Sequence, residues 1–380
     1  MDREAWNATT PPRFIAFYLP QFHAIPENDE WWGAGFTEWT NVRRATPLFP
    51  GHYQPHVPGE LGYYDLLDAG VRRRQSDLAL AHGIDGFCYY HYWFSGRRLL
   101  EQPFDAVRST GEPEIPFCLC WANEDWSRRW DGSSRSVLVK QTYSPEDDRA
   151  HIRWLIGAFG DRRYIRHHGR PLFLVYRASR LPNARATAET WRRECVAAGI
   201  GDPFLVSVES FRQEHVAPST LGFDASVGFQ PDWTRVGPGM ARRLLQAAGK
   251  RLGLAGIVEP HFTRVAYEDV MAGALRELAA EAQSPRVGGE VGFPCVMPGW
   301  DNTPRRQRGV IAVDGPSPER YQEWLEAAAR GSELVFVNAW NEWGEGCHLE
   351  PDQRFGRAFL EAHKSAVSAI AEGRAVGPRG

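Results

Sequence analysis

The feature that most constrains this chain is a repeated alternation. Eight short apolar or aromatic runs each stop abruptly in polar and aromatic residues, and a helix-forming segment usually follows. The runs occupy residues 14–19, 86–90, 116–121, 171–176, 204–208, 225–229, 294–297 and 334–339. Continuous apolar stretches this short suit strands buried on both faces of a parallel sheet. Helices are expected at 71–81, 144–159, 186–198, 267–282, 317–329 and 355–371. Two of them open on Ser144-Pro145 and Ser317-Pro318, where serine caps the first turn and proline fits within it. Eight strands alternating with helices predict an α/β fold, a single (β/α)8 TIM barrel. An open, doubly wound sheet fits less well, because no glycine-rich nucleotide turn accompanies the runs. The barrel is expected over 13–373, with an N-terminal extension at 1–12 and a tail at 374–380. Segments 26–65 and 232–290 are too long for simple loops. Both follow strands and so enlarge the C-terminal face, where barrel enzymes build their sites.

Charge and cysteine usage narrow the function class. Lys+Arg 44 against Asp+Glu 47 gives net −3, so no basic excess points to nucleic acid or an anionic membrane. No apolar run approaches the ~20 residues of a membrane helix. The N-terminal residues lack the apolar core of a signal peptide. A cytoplasmic location with free thiols at Cys88, Cys118, Cys120, Cys195, Cys295 and Cys347 is therefore expected. Cys118 and Cys120 share one strand face but lack further ligands at matching spacing, so no metal or cofactor is expected. The chain carries 15 Trp, 12 Tyr and 20 Phe, a surplus that serves a large core or ring platforms for a ligand.

The informative polar residues follow the runs. Run eight ends in Trp340-Asn341-Glu342-Trp343-Gly344-Glu345. Positions three apart point to opposite faces of a strand, so the chain must turn after Glu342 for both carboxylates to reach one pocket. Gly344 and Gly346 make that turn easy. Apolar surface from Trp340 and Trp343 would raise a carboxyl pKa and suit it to act as an acid. Paired carboxyl groups in different environments are the usual equipment for glycoside cleavage. The alternative is one glutamate paired with an arginine and the other solvated. Run one leads from Tyr18 to Gln21 and His23. Run two ends in His91-Tyr92-Trp93. Run three ends in Trp121, Asn123, Glu124, Asp125 and Trp126, followed by Arg128, Arg129 and Trp130. Run seven ends in Trp300-Asp301. A flat ring beside hydrogen-bonding groups is what a sugar site asks for. Each cluster alone could equally be core packing or a salt-bridged loop, but one barrel mouth would collect them all.

Five stretches carry a family resemblance: FYLPQFHAIPENDEWWGAGFTEWTNV from Phe17, GIDGFCYYHYWF from Gly83, CWANEDWSRRWDG from Cys120, PGWDNTPRR from Pro298 and NAWNEWGEGCHLEPD from Asn338. On these the chain resembles the WbsX-like proteins of bacterial polysaccharide gene clusters, which are related to glycoside hydrolase family 99, the endo-α-mannosidases. The resemblance implies a metal-independent barrel with a carbohydrate partner. It implies hydrolysis, endo-acting on a bacterial poly- or oligosaccharide of α-mannoside type. Glu342 would assist the sugar's own 2-hydroxyl in attacking the anomeric carbon. Glu345 would protonate the leaving oxygen and then activate water, so configuration would be retained. Gly344 stands where the mannosidases carry a bulkier residue and Cys347 where they carry a hydroxyl, both expected near the bound sugar. A glycosyltransferase of surface-polysaccharide biosynthesis and a non-catalytic glycan-binding barrel are the competing readings.

Overall fold

A computed structural model describes residues 11–127, 137–234, 236, 262–283, 290–306 and 309–373. Most of the extension at 1–12, the tail at 374–380, residues 128–130 and much of segment 232–290 lie outside the described residues. All eight runs form strands: β1 (Arg13–Tyr18), β2 (Gly86–Phe94), β3 (Phe117–Trp121), β4 (Arg170–Val175), β5 (Phe204–Val208), β6 (Ala225–Gly228), β7 (Val291–Val296) and β8 (Leu334–Val337). Each pairs in parallel with its sequence neighbours. β1 pairs with β2 at Ile15↔Gly86 and with β8 at Arg13↔Leu334. The sheet therefore closes into a (β/α)8 barrel and has no edge, which rules out the doubly wound alternative.

Inside the barrel, Phe17 meets Tyr90, Phe229 and Phe336 with ring centroids 5.3–5.6 Å apart. Outside it, Phe14 packs edge-on against His363 of the last helix. Successive strand residues thus alternate between the barrel interior and the helical layer. Gly86 is required where β2 begins, because a Cβ there would lie 2.7 Å from the Pro116 carbonyl oxygen.

The helical layer contains α3 (Ala69–Ala81), α4 (Gln102–Thr110), α5 (Pro145–Phe159), α6 (Ala184–Ala197), α7 (Tyr267–Gln283), α8 (Pro318–Ala328) and α9 (Ala358–Ala371). α5 and α8 begin as expected. Ser144 Oγ accepts from Asp147 N at 3.1 Å and Ser317 Oγ from Arg320 N at 3.3 Å. α9 starts later than residue 355, because the chain before it serves another purpose. The segment after β1 carries two short helices, α1 (Pro26–Trp32) and α2 (Glu38–Arg44), and then a strap. Strap residues Val57–Gly59 bond to Pro351, Asp352 and Gln353. The first insertion thus lies across the C-terminal face, fastened to the chain that follows β8. The six cysteines are buried free thiols. Among the described residues no helix is long and apolar enough to cross a membrane.

Candidate active site

The two glutamates after β8 reach the same side through a local device. Asn341–Glu342 pairs antiparallel with Cys347–His348, and Trp343–Glu345 between them forms a single 3-10 turn. Three residues per turn eclipse positions i and i+3, so Glu342 and Glu345 project together. Gly346 closes the turn at φ +57°, donating to the Trp343 carbonyl at 3.1 Å.

Facing them is Arg305, delivered by the 3-10 turn Thr303–Arg305 after β7. Asp301 shapes this turn. Its Oδ1 accepts from Thr303 N at 2.9 Å, and its Oδ2 accepts from Gln54 Nε2 at 2.6 Å and lies 2.6 Å from His52 Nε2. Its backbone N donates to the Glu345 carbonyl at 2.6 Å. Burial pushes the Asp301 pKa up, but the hydrogen bonds from His52, Gln54 and Thr303 outweigh it and leave the pKa lowered.

One guanidinium thus serves three carboxyl groups. Arg305 Nη2 donates to Glu342 Oε2 at 2.8 Å, Nη1 lies 2.8 Å from Glu345 Oε1, and Nε donates to Glu38 Oε1 at 2.6 Å. Glu38, the first residue of α2, is completely buried. Burial pushes the Glu342 pKa up to about 8; Arg305 opposes the rise, while Glu345 and Glu38 add to it. Glu38 is raised as well, chiefly by burial. Three carboxyls around one cation in a buried site hold a proton that separate surface carboxyls would release. Gly344 belongs to this cluster: a Cβ there would fall on Glu38 Oε1. Its missing side chain makes room for Glu38 and does not border the cavity. Cys347 likewise is buried, with its Sγ 2.7 Å from the Asn338 carbonyl oxygen. Neither Gly344 nor Cys347, both expected near the sugar, is among the residues that border the cavity described next.

Glu342 and Glu345 open onto a cavity of about 490 Å³ at the C-terminal mouth of the barrel. Of the candidates read from sequence, Gln21, Tyr92, Glu124, Asp125, Trp126 and Trp300 also border it. Tyr92 and Trp126 stack, with centroids 5.6 Å apart and planes at 24°. Trp300 packs edge-on against Trp233. Glu124 is held by Arg177 at 2.5 Å, and Asp125 accepts from Gln141 N at 2.7 Å.

The other candidates support the site from behind. Tyr18 donates to Gln75, and the ring of His23 lies 2.9 Å from the Pro20 carbonyl. His91 stacks on Trp154 of α5 at 4.6 Å, and Trp93 donates to Asp147. Trp121 donates to the Trp93 carbonyl and Asn123 to the Arg177 carbonyl. Trp340 is fully buried, and Asn341 bonds both N and O of Leu19. The sequence reading missed Tyr90, Phe94, Tyr176, Phe211, Phe229, Trp233, Arg305 and Arg306 in the wall, and Glu38 behind it. Strand parity signals two of these. With Tyr92 facing in, Tyr90 and Phe94 must do so too, while His91 and Trp93 face the helices. Glu38 and Arg305 both stand within the quoted family stretches.

Comparison with known proteins gives the family and the fold of the chain. The family model described as Glycosyltransferase WbsX matches residues 14–363, and the chain belongs to that family. The WxcX proteins of two strains of Xanthomonas campestris pv. campestris, B100 and ATCC 33913, are each 43% identical over 369 residues. The match covers 95% of this chain and 50% of each relative, so the chain spans about half the length of the curated relatives it matches. Among solved structures, the GH99 endo-α-mannosidase from Bacteroides thetaiotaomicron in complex with BIS-TRIS-propane superposes with TM-score 0.57 at 17% identity. It covers 95% of this chain and 98% of that one. A glycoside hydrolase-like protein superposes with TM-score 0.59 at 13% identity, covering 97% of both chains. At these identities the likeness is one of fold.

Proposed function

We propose that this WbsX-family barrel hydrolyses glycosidic bonds within a bacterial poly- or oligosaccharide, with Glu342 and Glu345 as its working carboxyl pair. The observation that supports this reading most directly is the pair itself. Two carboxyls project from one turn into an aromatic-walled cavity and share one guanidinium. Stacked rings such as Tyr92 and Trp126 suit the C–H faces of pyranose rings, and Glu124, Asp125 and Gln21 suit their hydroxyls.

The endo-α-mannosidase-like route assigns the steps. Glu345 protonates the glycosidic oxygen as its bond to the anomeric carbon breaks. The sugar's 2-hydroxyl attacks that carbon and passes its proton to Glu342, leaving a 1,2-anhydro sugar. Water then gives a proton to Glu345 and opens the three-membered ring, and Glu342 returns its proton to the 2-oxygen. The pair must carry one proton between them, held on Glu345 when the reaction begins. Glu342 is the more deeply buried of the two, its side chain 6% exposed against 24% for Glu345, and burial raises its pKa. That observation supports a second reading in which the roles are exchanged and Glu342 is the acid.

Purified chain should be incubated with α-linked oligosaccharides, α-1,2-mannosides first, with mass spectrometry as readout. Cleavage that disappears in both Glu342→Gln and Glu345→Gln supports the hydrolase. Activated aryl glycosides need less acid help and should partly rescue the acid variant alone: Glu345→Gln under the first assignment, Glu342→Gln under the exchanged one. Product formed only when a nucleotide sugar is supplied would make the protein a transferase and sink the proposal.

A further inference from the structure

A second cluster lies behind the catalytic turn, facing away from the cavity. His56 of the strap meets His348 and Asp352 of the chain after β8, and their ligand atoms all lie within 4.8 Å of one another. His348 Nδ1 is 2.9 Å from the Glu350 carbonyl oxygen. A carbonyl only accepts, so Nδ1 carries the hydrogen and Nε2 presents a lone pair. Such a backbone contact is how metal-ligating histidines are commonly oriented. His56 Nδ1 lies 2.9 Å from that lone pair. Two metal–nitrogen bonds of about 2.05 Å span about 2.9 Å at a right angle and about 3.3 Å at the tetrahedral angle. The observed spacing matches the right-angle value, and ligation replaces the hydrogen bond that His56 Nδ1–H donates to His348 Nε2: His56 moves its hydrogen to its own Nε2 and its half-buried ring turns so that both lone pairs meet at the ion. Asp352 is 4% exposed and supplies the charge. A void of about 30 Å³, bordered by all three residues, is the size that one ion or water takes up.

We propose that His56, His348 and Asp352 bind one divalent transition-metal ion of the zinc class, as a structural site. Two imidazoles and a carboxylate suit zinc chemistry, with the fourth position left to water. The ion fastens the strap to the chain after β8. His348 stacks on Trp343 with centroids 3.6 Å apart and pairs in register with Asn341, so the fastening reaches the turn that carries Glu342 and Glu345. The strap also supplies His52 and Gln54 to Asp301. The ion takes no part in bond cleavage, and the site stands whether or not the barrel proves to be a hydrolase.

The test uses the full chain, stripped with chelator, loaded with Zn²⁺, desalted and assayed for metal by mass spectrometry. One zinc per chain is expected, lost in His56→Gln and in Asp352→Asn and kept in Glu345→Gln. Bound Co²⁺ should show visible d–d absorption that the same two variants abolish. Zn²⁺ should raise the Tm of the wild type by several degrees and leave the two variants unmoved. Circular dichroism checks that both are folded. Wild-type protein that retains no zinc, or folded variants that retain it fully, would overturn the site.

Discussion

Replacing Glu342 by glutamine separates the charge of the site from its chemistry. The Glu342 carboxyl is raised to about 8 in the folded protein, first by burial, against 4.5 as its ordinary value. Between those values the folded protein holds a proton that the unfolded chain has released. Stability from this group is therefore present at low pH and is lost as pH rises through that window. At ~1.36 kcal/mol per pH unit, the wild type loses about 4 kcal/mol from this one group between pH 5 and pH 9. Glutamine has the same shape, can still accept from Arg305 Nη2, and has no proton to release. Two carboxyls, Glu38 and Glu345, then remain for one guanidinium. The stability of Glu342→Gln relative to wild type should rise by about 4 kcal/mol from pH 5 to pH 9, while glycoside cleavage is lost. Urea denaturation at pH 5, 7 and 9 measures this directly. A difference that stays constant within ~1 kcal/mol across that range would refute the argument that burial holds a proton on Glu342.

Arg305→Met removes the only cation that bonds Glu38, Glu342 and Glu345 among the described contacts. It should cost about 3–5 kcal/mol at pH 8 and less at pH 5, where the carboxyls take up protons, as followed by urea titration. Gly344→Ala places a methyl on Glu38 Oε1. It should destabilise by ~1–3 kcal/mol and lower kcat/KM by displacing the Glu38–Arg305 contact, read from a thermal melt and an activity assay side by side. Buried Glu350, raised to about 7 chiefly by burial, accepts from Trp343 Nε1, Gln75 Nε2 and Tyr64 OH at 2.6, 2.6 and 2.8 Å. In Glu350→Gln the amide NH₂ must face at least one of these donors, so a loss of about 1–3 kcal/mol in denaturant titration is expected.

The barrel was legible because its signal is local. Each strand announces itself as a short apolar run, and Ser144-Pro145 and Ser317-Pro318 mark helix starts that side-chain caps then form. The turn after Glu342 was legible for the same reason, since two glycines and two glutamates stand within five residues. Strand parity, a rule of period two, was available in His91-Tyr92-Trp93 but needed one fixed point to say which residues face the cavity. Only the closed fold could supply that point. Contacts across the chain are a different matter. Glu38 and Arg305 are separated by 267 positions and His56 and His348 by 292, and nothing in either neighbourhood names its partner. The residue types and the (β/α)8 frame follow from the order of amino acids, because periodicity and capping act over a few residues. Which carboxyls share one guanidinium, and therefore where a proton rests, was decided only when barrel closure brought the β1 insertion against the turns after β7 and β8. Burial and charge neighbours belong to that assembled site, and they set its acid–base character.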